Sequence, residues 1–390
     1  MGNPLLDLHA LGQSVWYDNI SRGLITGGQL RRLIAEDGVR GMTSNPAIFG
    51  KAISGADDYT GALRQLAAGG RSPLEIYEAI AIQDIQWAAD VLLPVYEASA
   101  GADGFVSLEV SPHLANDTEG TVAEALRLAG EVGRRNLMIK VPGTPAGVPA
   151  VERLIAAGIN VNVTLLFSQA NYAAVAAGYL AGLEQRVAAK GDPAAVASVA
   201  SFFVSRIDSL VDKQIEARLG QIKGAAQRVA LRALLGQVAV ANAKLAYVHY
   251  QKVIGSPRWR KLAARGARPQ RLLWASTGTK NPAYGDVLYI EELIGPDTVN
   301  TMPGATLEAF RDHGRVRPSL QEKVDEAADT MAALEELGVS MEAATERLQA
   351  DAVRLFVEPF DQLLAAIESR GRPAPQRRAA PKRRAARSRG

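Results

Sequence analysis

A lysine flanked by apolar residues is the clearest chemical signal in the sequence. Lys140 follows Leu-Met-Ile and precedes Val-Pro, a pattern typical of a central strand, where lysine is rarely buried without a reason. Burial disfavours the charged ammonium, and the free amine can attack a carbonyl carbon to form a Schiff base. The alternative interpretation is a structural lysine that pairs with Glu109 or Asp18.

Carboxylate, hydroxyl, amide and basic side chains end several other apolar runs. Glu109 and Asp18 could divide acid and base roles beside a lysine, or could form a structural ion-pair network. A second set could hold substrate hydroxyls or simply cap strand ends; it comprises Thr43, Asn45, Asn162 and Thr164. A third set could clamp a phosphate, although its arginine and lysine could instead be solvated surface charges; it comprises Ser201, Arg206 and Lys280.

Eight short apolar runs must position these side chains. The predicted strands are 14–18, 39–45, 105–110, 136–141, 159–167, 196–206, 271–277 and 299–302. Continuous apolar runs are typical of a parallel sheet that is covered on both sides. Helical patterns lie between them, the best marked being 74–99, which opens with Ser72 as N-cap, Pro73 and a capping-box Glu75. The other predicted helices are 118–133, 147–157, a helical hairpin over 209–254 and two long helices over 319–369.

The alternation of strands and helices predicts an α/β fold, a (β/α)8 TIM barrel with additional helices, as a single domain over 1–370. A doubly wound sheet is the rival fold, but it usually carries a glycine-rich phosphate loop after the first strand, and this sequence has none there. Residues 154–183 carry no charge, yet their polar interruptions favour a strand, a Ser168 N-cap and an Ala-rich helix over a membrane span. In such a barrel the carboxyl ends of the strands form the active site, so the polar residues should converge.

Composition narrows the function classes. The chain has 390 residues, 47% of them apolar and 22% charged, and it has no cysteine, which excludes disulfides, thiolate metal sites and a cysteine nucleophile. The four histidines are far apart and show no HExxH spacing, so no metal site is expected. The N-terminus has no basic cluster before an apolar stretch, which predicts a cytoplasmic rather than a secreted protein.

The net charge of +3 comes from the C-terminus. Eight of the 44 basic side chains lie in 371–390, which leaves 36 against 41 acidic ones and a body near −5. A basic nucleic-acid-binding body is therefore not supported. The Arg/Ala/Pro tail, 371–390, is predicted to be disordered. It has no aromatic residue, so it would contact nucleic acid or another anionic surface nonspecifically; the plainer interpretation is an extension with no effect on catalysis.

Several segments resemble the signature stretches of one enzyme family. They are VWYD at 15–18, GMTSNP at 41–46, 106–110, 138–142, NVTLLFS at 162–168, SFFVSRID at 201–208 and WASTGTKN at 274–281. In this order they are similar to transaldolases of the long bacterial type, members of the class I Schiff-base aldolase superfamily. The resemblance spans about residues 10–370.

The resemblance implies a role for each candidate residue. Lys140 would be the Schiff-base lysine on the fourth strand, Glu109 an acid/base acting through a bound water, and Asp18 the base that takes a hydroxyl proton during carbon–carbon cleavage. The water and the dihydroxyacetone unit would be ordered by Thr43, Asn45, Asn162 and Thr164. Phe203 would wall the pocket, and the phosphate would be held by Ser201, Arg206 and Lys280. Many transaldolases have a second arginine where this chain has Lys280, so a point charge replaces a bidentate fork.

The implied activity is that of a pentose phosphate pathway transferase that needs no cofactor or metal. It would move a dihydroxyacetone unit between sugar phosphates as a monomer or a homodimer, with no membrane partner. Three rivals stay open: an aldolase that releases dihydroxyacetone, a binding protein that uses the basic tail, and a barrel without catalysis. Related fructose-6-phosphate aldolases are much shorter and place a tyrosine where Glu109 sits, so the length and Glu109 favour transfer.

Overall fold

Eight parallel strands close into a barrel. In the computed structural model, which describes residues 2–371, the strands pair in chain order and the last pairs with the first. They are β1 (Gln13–Asp18), β2 (Val39–Thr43), β3 (Phe105–Glu109), β4 (Leu137–Pro142), β5 (Val161–Leu166), β6 (Ser198–Phe203), β7 (Arg271–Ala275) and β8 (Thr298–Met302). Every predicted strand is present, and the predicted (β/α)8 barrel is confirmed. The predicted tail, apart from Gly371, lies outside the described residues.

Helices surround the barrel and cross its mouth. Those in the described part of the chain are α1 (Pro4–Ala10), α2 (Arg22–Thr26), α3 (Gln29–Asp37), α4 (Pro46–Gly55), α5 (Thr60–Ala68), α6 (Pro73–Ala98), α7 (Thr118–Val132), α8 (Gly147–Ala157), α9 (Gln169–Ala188), α10 (Ser205–Gln221), α11 (Ala225–Ala233), α12 (Val238–Ile254), α13 (Pro257–Ala263), α14 (Leu288–Glu291), α15 (Gly304–His313), α16 (Val324–Glu336) and α17 (Met341–Gly371). Short 3₁₀ turns lie at Asp57–Tyr59, Pro112–Leu114 and Pro193–Ala195. The capping box at the start of α6 is formed as predicted.

Three sequence-based boundaries are wrong. The hairpin predicted over 209–254 is three helices, because Gly224 and Gly236, the latter at a φ of 70°, interrupt the helical pattern. The sixth strand ends at Phe203 rather than at residue 206, so Arg206 lies in the first turn of α10. The second strand ends at Thr43, and Asn45 is the N-cap of α4.

Residues 154–183 form the predicted strand and helix. They include β5, and the Ser168 side chain accepts a hydrogen bond from Asn171 N as the N-cap of α9. Within residues 2–371 no single helix is long and apolar enough to cross a membrane. Helices α11 and α12, which meet at 61°, reach that length and composition only as a bent pair.

The lower half of the barrel interior is filled rather than open. Trp16 is fully buried there, and its ring occupies the space beside β2 that only a glycine leaves free: a Cβ on Gly41 would lie 2.5 Å from the indole. Below it, Arg271 pairs with Asp103 at 2.9 Å and donates a hydrogen bond to Ser14. These side chains separate the carboxyl end of the barrel interior from the amino end, so the polar residues at the strand ends are reached from the carboxyl end.

A buried ion pair anchors the loop that follows Asp18. Arg22, at the start of α2, pairs with the fully buried Asp84 of α6 at 2.9 Å and lies over the rings of Tyr59 and Trp87. The Tyr59 hydroxyl donates to Asp84 at 2.9 Å and accepts from the Arg22 backbone N–H at 2.7 Å. All the polar groups of this cluster are thus paired, which holds the β1–α2 connection against α6.

Replacing Asp84 by Ala should strongly destabilise the protein. The substitution leaves the Arg22 guanidinium against the rings of Tyr59 and Trp87 without its counter-charge. Losing one partner of a buried ion pair costs about 3–5 kcal/mol. Asp90→Ala is the matched control, because Asp90 lies on the same helix in an exposed pair with Arg134 and should cost only about 0–1 kcal/mol. Urea unfolding of both variants measures the difference, and equal losses would contradict it.

Candidate active site

Parallel register places the central residues side by side. In the β3–β4 pair Glu109 lies opposite Lys140, and in the β4–β5 pair Lys140 lies opposite Asn162. Asp18 lies opposite Thr43 in the β1–β2 pair. Because side chains alternate along a strand, residues in matching register share one layer of the barrel interior. This layer lies at the carboxyl ends of the strands.

Lys140 is held in place from two sides. It is 5% exposed, its Nζ donates a hydrogen bond to the Ser44 carbonyl at 3.2 Å, and it lies 3.5 Å from Glu109 Oε2. The ring of Phe356, from α17, lies 5.8 Å from the same Nζ. The amine therefore has a fixed position and direction, as a nucleophile requires.

Glu109 is a carboxyl group whose protonation changes near neutral pH. Burial raises its pKa to about 7, and the nearby Lys140 charge only partly offsets this. Neither carboxyl oxygen has a hydrogen-bond partner of normal geometry among the described residues. Glu109 also lines a small cavity whose walls come from α6, α7, the start of α4 and Phe360 of α17. A carboxyl with such a pKa can both give and take a proton at physiological pH.

Asp18 ends a short hydrogen-bonded chain. Thr43 Oγ1 donates to Asp18 Oδ1 at 2.6 Å, so in the 2.7 Å contact between the Thr43 and Thr301 hydroxyls Thr301 must be the donor. Burial raises the pKa of Asp18, while Lys140 and the Thr43 hydrogen bond oppose that shift. The carboxylate is thus oriented with one oxygen left to accept a proton.

Asn162 links the strands beneath Lys140. Its Nδ2 donates to Ser107 Oγ at 3.0 Å, and its Oδ1 accepts from Ser201 Oγ at 2.7 Å. On the same strand Thr164 is fully buried, and its hydroxyl has no partner within residues 2–371. The next residue, Leu165, has a φ of 62°, a strained conformation for a non-glycine residue that costs about 1–3 kcal/mol and is concentrated at functional sites.

Two cations lie at the mouth. Arg206 is half-buried at the start of α10, with its guanidinium 5.4 Å from the centre of the Phe203 ring. Burial lowers the pKa of Arg206 from its usual high value, an effect that Asp18 opposes; an arginine still carries its charge at neutral pH. Lys280 is exposed in the segment that follows β7. Together they make the mouth positive, which suits an anionic ligand.

These groups line one open cavity at the barrel mouth. All the predicted site residues line it except Glu109 and Asn162, which lie opposite Lys140 on the two neighbouring strands. Leu355 and Phe356 of α17 form part of its wall. Gln349 ties α17 to the mouth by donating to Gly143 O and to Asn171 Oδ1. Within the described residues no group of three or more His, Asp or Glu side chains could hold a metal ion.

The sequence is also similar to those of known proteins. Residues 15–367 match the family model described as transaldolase/fructose-6-phosphate aldolase. This chain belongs to that family. The transaldolases of Thermobifida fusca and Thiobacillus denitrificans are each 51% identical to it over 365 residues, which cover 97% and 99% of those proteins and 93% and 94% of this chain. The transaldolase of Trichodesmium erythraeum is 47% identical over 370 residues, 94% of this chain and 97% of that protein.

The family membership confirms the resemblance to transaldolases and the expectation of a transferase. It leaves the role of each residue to be argued from geometry. Asn45 shows that two interpretations can hold together: its side chain accepts from Ile48 N as a helix cap, and it also lines the cavity. Lys140 and Glu109 likewise form the ion pair that a structural interpretation expects, in a position where catalysis can use it.

Sequence reasoning missed several residues of this transaldolase-family site. Thr301 lies on the predicted eighth strand, two residues after Val299. Because side chains alternate along a strand, the two lie on the same face, and this is a signal that the sequence offers. The Ser44 carbonyl carries no side-chain signal at all. Leu355 and Phe356 are more than 200 residues from Lys140 and Glu109 in sequence, and the docking of α17 brings them to the mouth.

Proposed function

We propose that this chain transfers a dihydroxyacetone unit from a ketose phosphate, sedoheptulose 7-phosphate or fructose 6-phosphate, to an aldose phosphate, glyceraldehyde 3-phosphate or erythrose 4-phosphate. The observation that carries the proposal is the buried Lys140, whose Nζ lies 3.5 Å from Glu109 in a barrel mouth that also holds Asp18 and two cations. The names of the similar proteins support it.

Lys140 is the nucleophile of this reaction. Glu109 first takes a proton from Nζ, which then attacks the C2 ketone of the donor and forms a carbinolamine. Glu109 gives a proton to the leaving hydroxyl, which departs as water and leaves a protonated imine. A pKa of about 7 leaves Glu109 partly protonated at neutral pH, so it can give this proton and take one back when the imine is hydrolysed.

Asp18 is the base for the cleavage step. Asp18 takes the proton of the C4 hydroxyl while the C3–C4 bond breaks. The electrons of that bond move into the protonated imine. An aldose phosphate leaves, and the three-carbon unit stays on Lys140 as an enamine. The aldehyde of the acceptor then forms the new carbon–carbon bond, and Asp18 returns the proton. No step needs a metal or a cofactor.

Hydroxyl and amide groups hold the three-carbon unit and the water. We assign this to Thr43, Asn45, Asn162 and Thr164. The Thr164 hydroxyl suits the role because it has no partner among the described residues. Ser201 was expected to bind phosphate, but its hydrogen bond to Asn162 favours a position beside the three-carbon unit. The phosphate is then bound by Arg206 and Lys280, and the ring of Phe203 packs against the Arg206 guanidinium.

Removing either cation should weaken the binding of phosphorylated donors specifically. Arg206→Ala should raise KM for fructose 6-phosphate by roughly 100-fold, and Lys280→Ala, at an exposed position, by roughly 10-fold, as expected for losing charge-assisted hydrogen bonds. Neither should change the use of dihydroxyacetone as donor. Steady-state kinetics with both donors measures this; equal losses for the two donors would refute the phosphate assignment.

Transfer rather than release requires that the enamine be shielded from water. The apolar side chains of Leu355 and Phe356 are placed to do this. The test is to incubate the protein with fructose 6-phosphate, with and without erythrose 4-phosphate, and to follow sedoheptulose 7-phosphate by mass spectrometry. Product that depends on the acceptor is expected, and steady release of dihydroxyacetone without acceptor would identify an aldolase instead.

The cytoplasmic location and the choice between a monomer and a homodimer stay predictions. Sugar phosphates are the substrates of the proposed reaction and are intracellular metabolites, which supports the first. Sedimentation equilibrium of the full chain decides the second.

A further inference from the structure

The segment that carries Lys280 is held by a side chain far from the reacting atoms. We propose that Tyr284, fixed by Asp212, is a positioning residue that sets the place of Lys280 relative to Arg206 and so the strength of phosphate binding. The inference rests on the proposed function, because it takes the two cations as the phosphate site.

The first observation is the position of two carboxylates on α10. Asp208 and Asp212 are four residues apart and share one face of the helix whose first turn carries Arg206. They are 1% and 7% exposed. Each accepts one backbone N–H, from Ala239 at 2.8 Å and from Gly236 at 3.1 Å. Their remaining oxygens are therefore available to a further donor.

Two tyrosines from the segment after β7 supply those donors. Tyr289 Oη donates to Asp208 Oδ2 and Tyr284 Oη donates to Asp212 Oδ2, both at 2.8 Å. Between β7 and α14 the chain runs for twelve residues, 276–287, and Lys280 lies in its first half. The Tyr284–Asp212 pair therefore joins the segment that carries Lys280 to the helix that carries Arg206, and the Tyr289–Asp208 pair joins that helix to α14, which follows the segment.

The short stretch between Lys280 and Tyr284 is itself stiff. Asn281 closes a turn, with its carbonyl accepting from Tyr284 N at 3.1 Å and its side chain accepting from Ala283 N at 3.0 Å. Thr279 Oγ1 donates to Gly285 O at 2.8 Å. A displacement of Tyr284 is thereby passed to Lys280, which lies between two residues of this hydrogen-bonded turn.

Gly236 leaves the space that the Tyr284–Asp212 hydrogen bond needs. It has a φ of 70°, and a Cβ at this position would lie 2.7 Å from the Tyr284 ring. The tyrosine can reach Asp212 only because this residue has no side chain. Gly236→Ala keeps both Tyr284 and Asp212 and acts on their hydrogen bond in two ways, through the clash with the tyrosine ring and through the strained backbone whose N–H Asp212 accepts. It serves as a second variant.

The experiment compares Tyr284→Phe and Gly236→Ala with Tyr250→Phe. Tyr250 is the matched control, since it is buried and its hydroxyl has no partner among the described residues. Calorimetry with glucitol 6-phosphate, which has no ketone for Lys140 to attack, measures phosphate binding without turnover. We expect its Kd to rise about five-fold in Tyr284→Phe and to stay unchanged in Tyr250→Phe.

Kinetics separate positioning from simple loss of structure. In Tyr284→Phe, KM for fructose 6-phosphate should rise about five-fold, while kcat and the use of dihydroxyacetone stay within two-fold of the parent. An unchanged Kd for glucitol 6-phosphate, or equal losses with both donors, would overturn the inference. If the parent protein shows no transfer and the variants still bind glucitol 6-phosphate more weakly, the inference stands and the proposed function fails.

Discussion

Replacing Lys140 by Met should lower kcat by roughly 10⁴-fold or more and should abolish covalent capture of the donor. Met keeps the length of the side chain against Phe356 and removes the only amine that reaches Glu109 within the described mouth. Without it no imine can form, and the C3–C4 bond has no electron sink. Incubation with fructose 6-phosphate, reduction with borohydride, digestion and mass spectrometry should place the adduct on Lys140 in the parent protein.

Lys244→Met controls for the loss of a buried ammonium. Lys244 is 3% exposed and donates to the Glu322 carbonyl at 2.9 Å, on the outer side of the barrel. Its replacement should lower stability but leave kcat and the adduct on Lys140 in place. Retention of most activity by Lys140→Met, or an adduct on a different lysine of the folded parent protein, is the result that would exclude the Schiff-base mechanism at this position.

Replacing Glu109 by Gln should lower kcat by about 10²–10⁴-fold, the usual contribution of a positioned acid–base group, and should also change the shape of the pH profile. Burial raises the pKa of Glu109 to about 7. Below that pH the carboxyl is protonated, so it cannot take the proton that Lys140 must lose before it attacks. In the parent protein kcat/KM should therefore rise as pH increases through about 7. Glu109→Gln cannot titrate, so this inflection should disappear.

Glu124→Gln is the matched control for the pH experiment. Glu124 lines the same small cavity as Glu109, and burial also raises the pKa of its carboxyl, but it accepts a hydrogen bond from Ser111 N at 2.6 Å, and the carboxylate that pairs with Lys140 is that of Glu109. This variant should keep the inflection near neutral pH. If the inflection survives in Glu109→Gln and disappears in Glu124→Gln, the acid–base assignment belongs to the wrong residue.

The phosphate site and the chemical site are expected to respond separately. Lys140, Glu109 and Asp18 come from strand ends, where register fixes their positions. Arg206 comes from a helix and Lys280 from a connecting segment, so neither is fixed by a strand. Variants at Tyr284 should thus act on KM, and variants at Glu109 on kcat.

The fold and most of the site follow from local sequence. Uninterrupted apolar runs predict strands covered on both faces, and the capping residues at Ser72 and Ser168 predict where helices begin. These signals are local because backbone hydrogen bonding and side-chain direction depend on neighbouring residues. Eight alternations of strand and helix then leave a closed barrel as the natural solution, and barrel closure predicts that strand-end residues converge.

Local signals fail where a residue's place depends on distant packing. An apolar run does not show where a strand yields to a helix, so Arg206 was assigned to β6 although it begins α10. The hydrophobic periodicity predicts one helical hairpin over 209–254, but Gly224 and Gly236 divide this segment into three helices.

Only the tertiary structure decides what surrounds Lys140. Ser44 offers a carbonyl, Thr301 completes the hydrogen-bonded chain to Asp18, and Phe356 arrives from α17. Apart from the position of Thr301 on the predicted eighth strand, nothing in the spacing of these residues marks them, because their contacts arise from strand register around the closed barrel and from the docking of a helix separated from β4 by about 200 residues. The sequence by itself determined which groups could react. The tertiary structure determined how they are oriented and how Lys280 is held, because both depend on contacts between residues that are distant along the chain.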